Sequence, residues 1–542
     1  MAILGGGVAG MTAAHELVER GFTVRVFEAK PVAGGKARSV EVAGTGTGPR
    51  KDLPGEHGFR FFPGFYRHIS DTMQRIPYGT NVDGVLGNLR AATRLQMARF
   101  NEGDPILVAH LPHTARGLIS AIKTLAEANF GVPTKEALFF ANRMFILLTS
   151  CEERRFGQWE NVSWWDFIDA ANKSLNYQRY LARGLTRTLV AMRAEDGSTR
   201  TVGYVLIQLF LDLLGANDAV DRILDGPTSD VWIHPWLDFL RAKGVEFNLG
   251  ARASAIHMTG GSISSVAVQY DDGTTEDVVA DFYISAMPKE RLEPLVTPAL
   301  RAAEPSLGGL HHLQTEWMNG IMFYLKDDVK IVNGHTIYVD TPWALTSISQ
   351  QQFWEDRLSG YGDGTVRGIL SVDISDWTRP GLLLGKSAAQ MTNAEDIKNE
   401  VWEQLKESLN DGGEEILDEA NVSTWYLDES IGFTASGATN AEPLLVNTKG
   451  SWQHRPEAAT NVPNLVLAAD YVRTHTDLAT MEGANEAARR AVNAIIERSG
   501  SSASPCKVWP FREPRIFEGL KRWDRSRYAK GKAHFMRPKV TP

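Results

Sequence analysis

Met1-Ala2-Ile3-Leu4-Gly5-Gly6-Gly7-Val8-Ala9-Gly10 opens the chain, and its reading decides the fold. Four apolar residues suit a buried parallel strand, and the glycines after them fit G-x-G-x-x-G. Val8, Met11, Leu17 and Val18 recur at helical spacings until Gly21 ends the helix after Arg20. Thr23–Phe27 predicts a second strand that closes on Glu28. In such a unit Gly5 permits the tight turn, Gly7 admits a pyrophosphate to the backbone with Ala9 beside it, and Gly10 packs helix against strand. The helix N-terminus offers free N–H groups and positive dipole to phosphate. Glu28, with Ala29 after it, can accept the ribose hydroxyls of an adenosine. Alone, the glycine spacing is weak; between a strand and a helix, with an acid closing the next strand, it is strong.

Nicotinamide and flavin dinucleotides share this fingerprint, so other residues must choose. Lys30-Pro31-Val32-Ala33-Gly34-Gly35-Lys36-Ala37-Arg38-Ser39 follows Glu28 at once. Its paired glycines let backbone fold against a long cofactor, and Lys36 and Arg38 can meet phosphate or flavin-edge charge. Far along the chain, Asn464-Leu465-Val466-Leu467-Ala468-Ala469-Asp470 predicts a strand delivering an acid, and Met481-Glu482-Gly483-Ala484 opens a long helix. The positive end of that helix suits the N1–O2 locus of a flavin, where negative charge gathers on reduction.

These segments resemble the FAD-containing amine oxidase and phytoene desaturase superfamily, in which a Gly-Gly-(Arg/Lys) segment follows the ribose acid. Within it the chain is most similar to plant- and cyanobacterial-type carotene desaturases and hydroxysqualene dehydroxylases. Three stretches carry that likeness: Gly34-Gly35-Lys36, Glu56-His57-Gly58-Phe59-Arg60-Phe61-Phe62-Pro63-Gly64-Phe65-Tyr66, and Asp477-Leu478-Ala479-Thr480-Met481-Glu482-Gly483-Ala484. Arg60 stands where those desaturases carry histidine, and His57 lies on the other side of Gly58. The resemblance implies FAD as cofactor, with Asp470 at the ribityl or pyrophosphate region, the Met481 amide and Ala484 at the pyrimidine edge, Gly35 and Gly58 beside the flavin, and backbone near Arg252 and Ala253 at the adenine.

The fold expected is α/β: a discontinuous, two-dinucleotide-binding (Rossmann-like) FAD domain at 1–80, 228–295 and 460–498, with a mixed α+β substrate domain inserted at 81–227 and 296–459. The middle cofactor segment is expected to hold helix 236–243, strands 245–249, 251–257 and 282–286, and a hairpin of 262–270 with 275–279 around Asp271-Asp272-Gly273. The first part of the substrate domain is helix-rich, with Leu118, Ile122 and Leu125 on one face and the apolar run 205–214. Its second part is strand-rich around 322–324, 336–339 and 368–372, and 44–55 is expected as a glycine-rich loop. Residues 499–542 form a tail, basic and aromatic beyond residue 506, which can lie on an anionic membrane or pack back on the body.

At 542 residues the chain suits two or three domains. With 43% apolar and 23% charged residues it is ordinary for a globular protein, and a net charge of −8 gives no reason to expect nucleic acid as partner. Two cysteines, Cys151 and Cys506, supply neither a disulfide framework nor an iron–sulfur site, which suits a reducing, cytoplasmic setting with membrane association left open. His311-His312 lacks metal-ligand spacing, so no metal is expected. Residue 1 already belongs to a strand, leaving no room for a signal peptide, and the apolar stretches fall short of the about 20 residues a membrane span needs.

A flavin would carry the redox chemistry while the protein holds a substrate C–H or N–H bond against it. Arg60 and His57 are the catalytic candidates: Arg60 for flavin charge, a quinone acceptor or a substrate oxygen, or else a buried ion pair with Glu56 or another acid; His57 for proton exchange or mere hydrogen bonding. Trp452–Pro456 is a further candidate for the chamber border. Desaturation or dehydrogenation of an apolar, isoprenoid-like substrate, with quinone or oxygen as acceptor, is the leading expectation. An amine oxidase releasing peroxide, a redox-neutral isomerase or dehydratase, and a non-catalytic flavin-stabilised scaffold are the alternatives.

Overall fold

Five short strands meet at the fingerprint in the computed structural model, which describes residues 1–101, 106–108, 131–184, 186–187, 191–213, 221–329, 331–410 and 413–536. They are β1 (Ala2–Leu4), β2 (Arg25–Glu28), β3 (Glu246–Leu249), β4 (Tyr283–Ser285) and β5 (Leu465–Leu467), in spatial order β5-β4-β1-β2-β3. Every neighbouring pair is parallel, and Ile3 lies opposite both Ile284 and Val26. Strand β1 is central and covered on both faces, which is why it is apolar at every position. The strand order reverses between β1 and β4, so a crevice opens at their carboxyl ends.

Four helices pack about that crevice, α1 (Val8–Val18), α2 (His68–Gln74), α3 (Thr199–Leu213) and α4 (Met481–Ser499), and a fifth, α5 (Glu518–Tyr528), lies in the tail. Helix α1 packs on α4, whose Ala487, Ala488 and Ala491 are fully buried and let the axes approach. Asn485 Nδ2 donates to Thr12 Oγ1 at 2.8 Å and to Thr72 Oγ1 at 2.9 Å, pinning α4 to α1 and α2 together. The second strand begins at Arg25 rather than Thr23, because Gly21, at φ +81°, heads a longer turn out of α1.

The segment after β3 is a three-stranded antiparallel meander of Ala251–Thr259, Ser262–Tyr270 and Thr275–Val278, not a hairpin alone. The expected loop 44–55 is corrected at its end. Leu53–Glu56 pairs antiparallel with Ser39–Val42, and a Cβ on Gly55 would lie 2.7 Å from Cε1 of Tyr426. That glycine marks a ring laid against a strand, not a turn.

A seven-stranded sheet forms the second layer, in the order Val422–Leu427, Asn319–Leu325, Gly368–Ile374, Leu345–Ser349, Gly334–Tyr338, Arg94–Ala98 and Ile106–Val108. Its two faces sort by the strand period of two. Ile321, Phe323, Leu370 and Val372 join a core with Ile397, Val401 and Leu405 of the helix Ala394–Leu409. Met322, Tyr324 and Ile369 face the other way, onto Leu53 and Phe59. The expected face of Leu118, Ile122 and Leu125 lies outside the described residues, as does the last residue of the run 205–214.

The tail packs back on the body. Asp524 of α5 is fully buried, accepting from Arg154 Nε at 2.9 Å and from the Cys151 amide at 3.0 Å. The Trp509 amide donates to His68 Nε2 at 2.9 Å, and the Phe511 ring meets Phe65 edge-on at 5.7 Å. Among the described residues, no helix is long and apolar enough to cross a membrane.

Candidate active site

A cavity of about 600 Å³ occupies the crevice. Gly5, Gly7, Ala9, Glu28, Ala29 and Gly35 form one wall, from the turn after β1 and the end of β2. Here the backbone does most of the work. The Gly6 amide donates to Glu28 Oε2 at 2.6 Å and the Lys30 amide to Oε1 at 2.9 Å, fixing the carboxylate at the strand end. Burial pushes the Glu28 carboxyl up, against those two amides.

The glycines divide into two kinds. A Cβ on Gly10 would lie 1.9 Å from Gly5 O, so Gly10 is required by the packing of α1 on β1, and it does not line the cavity. A Cβ on Gly7 would meet only Gly35, its Cα at 3.6 Å and N at 3.9 Å, both ordinary contacts. The protein itself leaves room for a methyl group there, so the space in front of Gly7 is kept for what the cavity holds. That cradle, the fixed acid at the end of β2 and the helix N-terminus fit the adenosine diphosphate portion of a dinucleotide.

The opposite wall comes from the far end of the chain. Asp470, just after β5, lines the cavity together with Ala479, Met481 and Ala484 at the start of α4. Thr480 caps this helix, its hydroxyl accepting from the Gly483 amide at 3.1 Å. Ala253 and Arg252 of the meander close the far end. Two charged residues behave differently from expectation. Lys36 lines the cavity but spends its ammonium on Pro443 O, with Glu290 3.7 Å away. Arg38 is absent from the lining; its buried guanidinium joins Glu429 at 2.7 Å and Glu442 at 3.2 Å, so its charge serves the protein's own acids rather than a phosphate.

The segment Glu56–Tyr66 forms the third side. It lies on the seven-stranded sheet because two glycines meet: a Cβ on Gly320 would fall 2.7 Å from Gly58 Cα, and the Gly320 amide donates to His57 O at 2.6 Å. His57, Gly58, Phe59, Arg60 and Phe61 all line the cavity. His57 Nδ1 lies 2.6 Å from Oδ2 of buried Asp428, which is also held by Asn319 and Ser430 at 2.6 Å each. The imidazole and these hydrogen bonds outweigh burial and hold the Asp428 carboxyl well below its ordinary range. Arg60 donates to the carbonyls of Gly58 and Lys36, and to that of Phe59 at 3.3 Å. Glu56 accepts from the Thr228 amide and hydroxyl at 2.9 Å each, so of the alternatives for Arg60 the contact pair with Glu56 is not formed. Burial lowers the Arg60 guanidinium's proton affinity, opposed by the charges of Glu56, Asp373 and Asp428.

Sequence reasoning missed Asp373. Alternation along Gly368–Ile374 places it on the Ile369 face, opposite Gly320 and against Gly58, so that it lines the cavity. Its Oδ1 is buried with no hydrogen-bond partner among the described residues, and burial, opposed by the Arg60 charge and the Phe59 amide beside the carboxyl, pushes the group up to about 7. Nothing local in the sequence marks it, since an acid in a strand reads as a solvent-facing residue. Also missed was Glu482, which accepts the Arg67, His68 and Ile69 amides at 2.8–2.9 Å and His68 Nδ1 at 2.6 Å. It caps α2 from α4 and thereby clamps the chamber segment to the cofactor helix.

Phe65, Met192, Val205, Leu209, Met318 and Leu445 make an apolar stretch of the lining, while Lys30, Glu290, Arg291 and Glu442 add charge to it elsewhere. Val205 and Leu209 are one turn apart on α3. Trp452–Pro456 does not reach the cavity; Trp452 packs on Phe156 at 4.9 Å and beneath Arg200.

Comparisons with known proteins agree with this geometry. The family model described as flavin containing amine oxidoreductase matches residues 8–496. Zeta-carotene desaturase of Synechocystis sp. is 22% identical over 92% of this chain and 97% of its own length. A probable zeta-carotene desaturase of Synechococcus elongatus is 21% identical over 93% of this chain and 100% of its own. The fold is shared with a solved putrescine oxidase, at a TM-score of 0.60 and 14% identity, over 92% of this chain and 98% of that one. With a dinucleotide cradle on one side of the cavity and an apolar chamber on the other, the chain belongs to the flavin-containing amine oxidoreductase family and is an FAD-dependent oxidoreductase.

Proposed function

We propose that the protein desaturates or dehydrogenates an apolar, isoprenoid-like substrate. One observation carries the proposal: the cofactor cradle runs without a break into a chamber walled by Phe59, Phe61, Met192, Val205, Leu209 and Met318. Such a wall binds a hydrocarbon through apolar burial and excludes water from the reacting bond. The two relatives named as zeta-carotene desaturases support the same substrate class.

FAD, when bound, accepts the hydride that a substrate C–H bond gives up. Gly7, Glu28 and the start of α4 would hold its diphosphate, ribose and ring ends. Desaturation also frees a proton, and Asp373 Oδ1 is the chamber atom suited to take it: buried, with no direct hydrogen bond of its own among the described residues, and on a carboxyl that burial pushes up to about 7. His57 stays paired with Asp428 and is assigned the role of orienting the segment 57–60 rather than of exchanging a proton.

The test is anaerobic incubation of the yellow protein with phytoene or zeta-carotene in detergent micelles, and separately with putrescine and cyclohexylamine. Bleaching of the flavin by the polyenes, with a product two hydrogens lighter, is expected. Bleaching by the amines alone would overturn the proposal in favour of an amine oxidase, and a product of unchanged mass would point to isomerisation.

A further inference from the structure

We propose that the loop 379–386 is a preformed membrane-docking element that seats the chamber on an anionic lipid bilayer. The loop reads Arg379-Pro380-Gly381-Leu382-Leu383-Leu384-Gly385-Lys386. Leu382, Leu383 and Leu384 are 44%, 51% and 53% exposed. Scattered exposed leucines are ordinary, but three in a row at one loop tip form a patch that water disfavours.

The loop is held from inside. The Gly381 amide donates to Lys386 O at 2.8 Å and closes the turn. Glu400 of the helix Ala394–Leu409 is fully buried and accepts the Leu382 amide at 2.5 Å and the Leu383 amide at 2.9 Å. A Cβ on Gly381 would fall 2.3 Å from the Glu400 carboxyl carbon, so glycine is what lets the carboxylate reach these amides. Burying a charge to fix the backbone beneath three solvent-exposed leucines makes the tip rigid, and a rigid tip loses little conformational freedom on docking.

Charge names the surface it fits. Arg379 and Lys386 flank the leucines, both are exposed, and the loop contains no acid, although Arg379 Nε lies 3.7 Å from Asp376 at the loop's base. Apolar residues that insert between basic ones match the acyl and headgroup layers of an anionic bilayer. Position agrees with this. At the base of the loop, Arg193 donates to Thr378 Oγ1 at 3.2 Å, and Trp377 meets Trp317 edge-on at 5.2 Å. Met192 and Met318, the chain neighbours of Arg193 and Trp317, line the chamber. The loop therefore rises beside the chamber wall, where a bilayer would present a hydrocarbon substrate; that link alone rests on the proposed function, whereas docking itself does not.

The experiment is flotation of the full-length, FAD-loaded protein with phosphatidylcholine vesicles, with and without phosphatidylglycerol. Wild type is expected to float with the anionic vesicles, and Leu382→Ser/Leu383→Ser/Leu384→Ser to lose at least about tenfold in partition while keeping its flavin. Arg379→Glu/Lys386→Glu should lose about fivefold or more per residue on anionic vesicles and little on neutral ones. Leu383→Cys carrying an environment-sensitive dye should shift to the blue on vesicles; the two native cysteines are buried and will not compete for the label. A wild type that stays unbound, or a triple serine variant that floats equally well, overturns the proposal. So does a wild-type dimer that the serine variant disperses, which would make the leucines an interface between copies. Flotation without any bleaching by polyenes would leave docking standing and remove the substrate assignment.

Discussion

The two ends of the cavity are built by opposite means. At the cofactor end the surfaces are backbone, glycine and helix termini, and the acid Glu28 has both oxygens engaged by backbone amides, those of Gly6 and Lys30. At the chamber end the surfaces are side chains brought from distant strands, and Asp373 keeps an oxygen without a partner. A site for a fixed ligand satisfies itself locally, whereas a site for chemistry leaves a polar group in want of one.

That contrast breaks most visibly at the glycines. Gly10→Ala pushes a methyl group into Gly5 O, where backbone cannot yield, and is expected to cost more than about 3 kcal/mol, with α1 displaced from β1. Colourless protein with a strongly lowered Tm is the expected outcome. A yellow, stable variant would show that α1 can tilt, and that the fingerprint geometry is softer than its contacts imply.

The clamp between the two ends is Glu482. Removing its carboxylate in Glu482→Ala strands three amides and one imidazole nitrogen in the interior, at a cost of about 3 kcal/mol. Denaturant unfolding measures it. If the segment 56–66 is held mainly through this residue, hydrogen exchange at Phe65–Ile69 should rise before that of β1. Uniform loosening would mean that the two ends form one cooperative unit.

Asp373 sharpens the comparison through pH. Its carboxyl titrates at about 7 in the folded chain and near 4 when unfolded. Between those values the native state keeps a proton that the unfolded state releases, so this group's contribution falls as pH rises from about 4 to about 7 and is level above that. Asp373→Asn should remove the slope, leaving stability unchanged near pH 4 and raising it by about 2 kcal/mol at pH 8, half the full shift because one side of the carboxyl faces the cavity. Unfolding curves at the two pH values decide. The same variant should lose the rise in flavin reduction rate with pH if Asp373 takes the substrate proton. A retained pH profile would reduce it to a binding group.

The cofactor end was legible in the sequence because its rules are local. G-x-G-x-x-G, the acid closing β2, and the small residues opening α4 each state a backbone requirement within a few positions, and those residues meet around one cavity. Arg38 was misread because charge beside a glycine pair says nothing about which partner lies nearest, and Glu429 and Glu442 are about 400 residues away in the chain. Asp373 could not be found at all. Its meaning comes from strand pairing with Gly320 and from the close pass of Gly58, neither of which leaves a periodic signal. Only the end of the loop 44–55 was misplaced, for a related reason: Gly55 makes room for Tyr426, a tertiary contact that looks like turn chemistry when read along the chain.

Gly7 separates the requirements of the fold from those of the ligand. Because a Cβ there makes only ordinary contacts with Gly35, none closer than 3.6 Å, Gly7→Ala should fold with its Tm as apoprotein nearly unchanged. The added methyl group stands instead where the cradle receives a diphosphate, so FAD affinity should fall about tenfold or more, equivalent to about 1.4 kcal/mol. Titrating FAD into apoprotein, followed by quenching of flavin fluorescence, gives the number. A variant that loses its fold would place Gly7 in the same class as Gly10. One that binds FAD as wild type does would move the diphosphate away from this turn, and the cofactor end would have to be redrawn around α4 alone.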